Sequence, residues 1–403
     1  MTTLKVDADA AGLDPRRLEH ITEHLMRRYI EPQKIAGCQT LVVRHGTAGY
    51  FSALGSMDRE RGKPVADDAI WRIYSMSKPI TGVALMTLYE RGHFQLGDPV
   101  DRFIPEWRGL KVLASDGSLV EPERPMSIRD ALMHMTGLGY GKGQPLTVER
   151  FLPAMFAMHK GTLQDMVERL ADEPLVFHPG SRWLYGLSTD VCGKLVEAIS
   201  GQPFDQYLRD AVLGPLQMDD TGFFVSDDDA ERLAASYTRM PDKSLRLLDD
   251  PERSPFRRPP TFLSGGGGLV STIEDYSRFA RMLLHGGELD GVRVLGRKTV
   301  ELMTTNHLPG GGDLSEFVLP GTYGETDFDG VGFGLTMAVG KGPVATAGVG
   351  SAGDFYWGGA ASTIFWVDPA EDLAVIFMTQ LLPSGTFNFR GQLKSLVYAA
   401  LAD

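Results

Sequence analysis

Ser75-Met76-Ser77-Lys78-Pro79 is followed by Ile80 to Tyr89, ten residues without a charge. Proline fixes φ and lacks an N–H, so it is tolerated in the first turn of a helix and disrupts the interior. A helix therefore begins just before Pro79. This puts Ser75 at or beside its N-terminus and Lys78 three residues on, on the same face and within reach of the serine. The run Ile80, Val83, Ala84, Leu85, Met86 and Leu88 leaves no polar face wide enough for water, which predicts a central, buried helix. A lysine leading into such a helix is desolvated, and desolvation lowers its pKa towards the range where an amine acts as a base. A serine hydroxyl beside such an amine is a nucleophile and base pairing found in enzymes that form acyl intermediates. The plain alternative is an N-cap serine with a lysine stem lying along the surface. It fits Ser-x-x-Lys alone, and Pro79 and the uncharged helix weigh against it.

The chain has 403 residues, long for one compact core, with 43% hydrophobic and 23% charged residues, an ordinary composition for a globular protein. A formal net charge of −12 and the lack of any long Lys/Arg run argue against nucleic acid or an anionic membrane as partner. The first nine residues hold no apolar run of signal-peptide length, and no stretch reaches membrane-spanning length, so a cytoplasmic protein is expected. Cys38 and Cys192, the only cysteines, read as buried free thiols in a reducing compartment. His20 and His24 share a helix face rich in Arg and Glu but lack a His-Glu-x-x-His pattern, so that face reads as solvated. No metal or cofactor is expected.

Asp14-Pro15 opens an amphipathic helix ending near Tyr29, and runs at 38–43 and 49–54 form a hairpin about Arg44-His45-Gly46. From Asp98 to Gly286 the chain reads mostly as helices and loops, with helices over 128–135, 163–170, 188–199, 204–213 and 273–285. Strand signal returns at 334–339, 344–349, 362–368 and 374–379, the last two joined about Pro369 to Asp372, and a helix over 391–402 closes the chain. The expected fold is α/β (α+β): an antiparallel sheet from residues 1–75 and 290–403, flanked by helices, with a mainly helical domain over 76–289 and the active site between them. Pro309-Gly310-Gly311-Gly312-Asp313 reads as a flexible surface loop.

Other motifs carry less. No Gly-x-Ser-x-Gly pentapeptide occurs, which argues against an α/β-hydrolase elbow. Gly348-Val349-Gly350-Ser351-Ala352-Gly353 matches Gly-x-Gly-x-x-Gly, but the residues after it do not open a helix, as a dinucleotide site requires. Ser264-Gly265-Gly266-Gly267-Gly268 lacks the Lys and Ser/Thr of a P-loop and reads as a tight backbone passage.

With Ser75-x-x-Lys78 as anchor, the chain resembles the serine β-lactamase and penicillin-binding family, in particular its class C-like, family VIII-type carboxylesterase branch. Leu132-Met133-His134-Met135-Thr136-Gly137-Leu138 is similar to the family's structural Leu-x-His-Thr-Ser-Gly-Leu turn. Phe177-His178-Pro179-Gly180 with Trp183-Leu184-Tyr185 resembles the approach to its Tyr-x-Asn motif. Gly267 to Thr272 matches a glycine-rich segment entering a helix, and Trp357-Gly358-Gly359 occupies the place of Lys-Thr-Gly. Two departures stand out: Leu187 where the family has asparagine, and Trp357 where it has lysine. A tryptophan offers an apolar face and one N–H and cannot pair with a carboxylate as lysine does.

The resemblance implies a serine carboxylesterase acting on a small neutral ester, with Ser75 as nucleophile and Lys78 and Tyr185 sharing the proton work; which of the two is the base stays open. It implies an oxyanion hole of the Ser75 and Ala360 backbone N–H groups, substrate contacts from Trp357, Gly358, Gly359 and Leu187, and structural roles for His134 and, at the helix cap, Ser77. The rival readings are a β-lactamase or D-alanyl peptidase, an acyltransferase using the same acyl-enzyme, and a non-catalytic binding member.

Overall fold

The computed structural model describes residues 5–138, 161–319 and 321–402. Both chain ends build one sheet of eight antiparallel strands: β1 (Gly37–Arg44), β2 (Thr47–Asp58), β3 (Lys63–Pro64), β4 (Val331–Phe333), β5 (Ala338–Gly340), β6 (Phe355–Gly358), β7 (Ile364–Asp368) and β8 (Leu373–Thr379). Their order is β4-β5-β6-β7-β8-β1-β2-β3. The sheet closes on itself in sequence where β1 lies beside β8, with Cys38 opposite Thr379 and Arg44 opposite Leu373. Every residue of β1 and of β8 is buried. Such double-sided burial needs helices on both faces.

Those helices are α1 (Pro15–Leu25), which packs on β2 and against the closing helix, and one over Ile273–Leu284, which packs on β1, β7 and β8. Asp14 caps α1 by accepting from the Arg16 N–H at 2.9 Å, with Pro15 in the first turn, as the sequence predicts. Cys38 and Cys192 are buried free thiols. No helix among the described residues is long and apolar enough to cross a membrane.

Helix α2 (Ser77–Glu90) follows a single 3-10 turn over Tyr74–Met76, and its residues from Ser77 to Leu88 are all buried. Burying one leucine contributes roughly 1.5–3 kcal/mol, more than the roughly 1 kcal/mol that Gly82 costs a helix interior. Gly82 is required by contact: a Cβ there would meet Thr336 Oγ1 at 2.4 Å. Beside α2 lies α3 (Ser188–Ser200), and the Ile273–Leu284 helix is α4. The chain closes with α5 (Phe389–Tyr398), two residues ahead of its expected start because Asn388 accepts from the Gly391 N–H.

Four expectations need correction. Residues 334–339 are not one strand: Gly334 approaches Met303 O too closely for a side chain and Thr336 has φ +71°, so 334–337 form the turn joining β4 to β5 and only Ala338 and Val339 lie in a strand. Residues 344–349 begin in a helical turn, Pro343–Thr346, because Pro343 starts it and Ala347 leaves it at φ +50°. The middle of the chain also holds a hairpin, Ser236–Arg239 with Leu245–Asp249, whose first strand runs parallel to Leu381–Leu382. Elsewhere the helix expected over 128–135 ends at Leu132, because His134 turns out of it at φ +58°.

Asp275, in the first turn of α4, is buried and accepts from Thr221 Oγ1 (2.8 Å) and the Asp220 N–H (2.9 Å). Burial raises its pKa to about 7, with a smaller push from the neighbouring Asp220 carboxylate. The folded state thus holds this proton above the pH at which an unfolded aspartate releases it, and its stabilising effect is lost as pH rises through about 7. Asp275→Asn is expected to raise the melting temperature relative to the parent at pH 8 and to lose that advantage at pH 4. An advantage independent of pH would contradict the buried-proton account.

Candidate active site

Ser75 sits in the 3-10 turn, behind Tyr74, whose φ of +42° lies in the left-handed region a tyrosine seldom adopts. The approach is pinned on both sides. The Ile73 N–H donates to Leu269 O at 3.1 Å, and the fully buried Arg72 guanidinium donates to Asp249 (2.7 Å), Ser254 Oγ (3.0 Å) and Ala234 O (2.5 Å). The hairpin the sequence did not disclose is thus what braces the serine's lead-in.

Lys78 is fully buried, and its Nζ donates to Ser75 Oγ at 3.2 Å and to Gly266 O at 2.6 Å. Its Nζ also lies 4.6 Å from the centroid of the Tyr185 ring, within cation–π range. Burial lowers its pKa to about 8, against the opposing pull of the Asp190 and Glu325 carboxylates. The Gly266 carbonyl is held by the 264–268 turn, which packs tightly: a Cβ on Gly265 would meet Thr189 O at 2.7 Å, and Thr81 Oγ1 donates to Gly265 O at 2.8 Å. Ser77, expected at the helix cap, instead accepts from the Leu269 N–H at 3.1 Å and fastens the end of this turn.

Tyr185 is buried in a cluster of rings. Trp183 stacks on it with 5.9 Å between centroids, His134 lies at 4.9 Å, Trp357 at 5.6 Å and Tyr323 at 6.1 Å. Its hydroxyl accepts from Trp357 Nε1 at 3.4 Å. His134 Nδ1 accepts from the Gly186 N–H at 3.4 Å, which leaves Nε2 to carry the proton towards Thr189 Oγ1 at 3.3 Å. The ring is therefore neutral, and burial together with the Lys78 charge holds its pKa well below the usual histidine range. His134 is a brace for the Tyr185-Gly186 segment, as its sequence context suggested.

Trp357, on β6, is fully buried and packs edge-to-face on Phe333 at 5.5 Å, so its ring backs Tyr185. Leu187 is also fully buried, at the N-cap of α3 within the core. Gly358 and Gly359 carry the chain out of β6 past two close neighbours. A Cβ on Gly358 would lie 3.0 Å from Arg390 Nη2, and one on Gly359 would lie 2.3 Å from Ile73 O and 2.4 Å from Thr363 Oγ1. Gly359 N–H donates to Thr363 O at 2.8 Å and Thr363 Oγ1 to Ile73 O at 3.4 Å. The turn bearing Ala360 is thereby fixed against the segment that leads into Ser75. The Gly348–Gly353 run passes into β6 and gives its Ser351 N–H to Asp368 at 3.2 Å, so it acts as a turn.

Two buried acids escaped the sequence reading. Asp190 is the only charge between Trp183 and Gly193, a local signal that could have been used. Glu325 accepts from Tyr323 Oη (2.7 Å) and Ser384 Oγ (2.6 Å), and burial raises its pKa while those bonds and Lys78 oppose the rise. It lies in the aperiodic stretch 321–330, which offers no such signal.

The site residues come from both the sheet and the helical part, and the arrangement can hold a serine hydroxyl against a buried amine. The family model described as Beta-lactamase matches residues 22–399. An uncharacterized protein of Mycobacterium tuberculosis is 36% identical over 366 residues, 89% of each chain. Esterase EstB of Burkholderia gladioli is 30% identical over 402 residues, 96% of each. Among solved structures, EstCE1, a hydrolase with promiscuous acyltransferase activity, superposes with a TM-score of 0.78 at 26% identity, over 98% of this chain and 100% of its own. With the family match running through almost the whole sequence, the chain belongs to the Beta-lactamase family of serine β-lactamase and penicillin-binding-protein-like proteins and has its β-lactamase/transpeptidase-like fold.

Proposed function

We propose that the protein is a serine esterase that hydrolyses short- to medium-chain carboxylic esters through an acyl-enzyme on Ser75. The observation that carries this reading is the 3.2 Å contact between Ser75 Oγ and the fully buried amine of Lys78. With a pKa of about 8, roughly a tenth of that amine is neutral at pH 7 and able to take a proton. Ser75 Oγ attacks the ester carbonyl as its proton passes to Lys78 Nζ. The resulting oxyanion is met by the Ser75 and Ala360 N–H groups, and collapse releases the alcohol, protonated from Lys78 through Tyr185. Water then attacks the acyl-enzyme and the same groups return the proton to Ser75.

In this reading Trp357 orients the Tyr185 hydroxyl, and Leu187 fills a core position at the head of α3. Neither supplies a charge to meet a substrate carboxylate, which supports a neutral ester over a penicillin. EstB, similar over nearly the whole chain, is an esterase, which supports the same choice. The acyltransferase activity of EstCE1 favours a second reading, in which an alcohol replaces water at the deacylation step. Product analysis with an added alcohol separates the two.

Ser75→Ala is expected to abolish hydrolysis of a short-chain p-nitrophenyl ester while the circular dichroism spectrum stays that of the parent; full retained activity sinks the proposal. Tyr185→Phe should cost on the order of 10²-fold in kcat, and an effect below about threefold removes it from the proton path. Gly359→Ala would drive the Ala360 turn away from Ile73. Its kcat should fall on the order of 10²-fold with little change in KM, whereas an unchanged kcat would take Ala360 out of the oxyanion hole.

A further inference from the structure

We propose that Asp190 is a positioning residue of this site: its carboxylate fixes the Gly266 carbonyl that holds the Lys78 amine, and supplies the negative charge that the lysine meets from α3. The inference rests on the reading of Lys78 as the base. Asp190 is fully buried in the first turn of α3, five residues after Tyr185. Its Oδ1 accepts from Ser264 Oγ at 2.6 Å and from the Gly266 N–H at 3.0 Å. The same glycine gives its carbonyl to Lys78 Nζ at 2.6 Å. Asp190 and Lys78 therefore grip one residue from its two backbone polar groups.

The second carboxylate oxygen, Oδ2, is buried and has no hydrogen-bond partner. It faces the same turn, since a Cβ on Gly266 would lie 2.9 Å from it. A buried carboxylate with a bare oxygen is unfavourable unless a cation shares its surroundings. Lys78 is that cation. The other groups that face the lysine are Glu325 from the loop ahead of β4, neutral His134 from the turn after the 128–132 helix, and the Tyr185 ring ahead of α3. Of these only Glu325 is a second acid, and its oxygens are taken by Tyr323 and Ser384. A residue that merely stapled the turn would alter stability and kcat and leave the ionisation of Lys78 where it was. One that also supplies the charge alters that ionisation.

The test is the pH dependence of kcat/KM for a p-nitrophenyl ester. The parent should show an acid limb with an apparent pKa near 8. Asp190→Asn keeps the shape and removes the charge. It should move that limb to lower pH by about one unit and lower the plateau on the order of tenfold. A limb unmoved in a folded Asp190→Asn protein overturns the inference. Should that variant fail to fold, Gly266→Ala displaces the carboxylate from the turn without deleting it. A smaller shift in the same direction with a lowered plateau supports the inference, and a parental profile overturns it. A parent profile flat from about pH 6 to about pH 10 overturns the base assignment itself and the inference with it, whereas a normal parent limb with an unmoved variant limb overturns Asp190 alone.

Discussion

Everything at this site depends on keeping the Lys78 amine out of water and, in the proposed reaction, on leaving it a route for its proton. Removing a lysine ammonium from solvent costs several kcal/mol, and the fold offsets that with Gly266 O, the face of Tyr185 and two carboxylates held nearby. The balance leaves the amine near pKa 8, low enough to accept a proton and high enough to give it back near neutrality. Without Asp190 and Glu325 the same burial would drive the amine further towards neutrality. Without burial the amine would stay charged and useless as a base.

Three structural units meet to impose this arrangement. Helix α2 and the 3-10 turn that leads into it deliver Lys78 and Ser75 from the centre of the core, the 264–268 turn brings a carbonyl that only a glycine-rich backbone can place so close, and the sheet delivers the Gly359 turn onto Ile73. The ring cluster of Trp183, His134, Trp357 and Tyr323 fixes Tyr185 from several sides. These contacts are long-range in sequence, so the site exists only in the folded chain. Arg72 carries the same logic outward by tying the Ser75 lead-in to the hairpin over Ser236–Arg239 and Leu245–Asp249.

Much of this is legible in the sequence where one residue has a strong local consequence. Pro79 and the uncharged run after it announce α2 and the neighbourhood of Ser75 and Lys78, and the hydrophobic runs of β1, β7 and β8 announce the sheet. Tyr185, Ala360 and Trp357 are legible only through resemblance, because nothing local distinguishes a tyrosine in a ring cluster from one in a plain core. The partner of Ser77, the bracing of Ser75 by Arg72 and the carboxylates about Lys78 are set by contacts between segments many residues apart. Residues 334–339 read as a strand because their alternation is apolar, yet the close approach of Gly334 to Met303 O and the positive φ of Thr336 make the first four a turn and leave only Ala338 and Val339 in β5.

The central claim is that the amine of Lys78 delivers Ser75 as a nucleophile that becomes acylated. Its most direct test is mass spectrometry of the protein quenched in acid during turnover of a slowly deacylating p-nitrophenyl ester, followed by peptide mapping. The account predicts one acyl group per chain, located on Ser75. An acyl group on any other residue, or turnover with no acyl-enzyme at the quench while product accumulates in a burst, would contradict it.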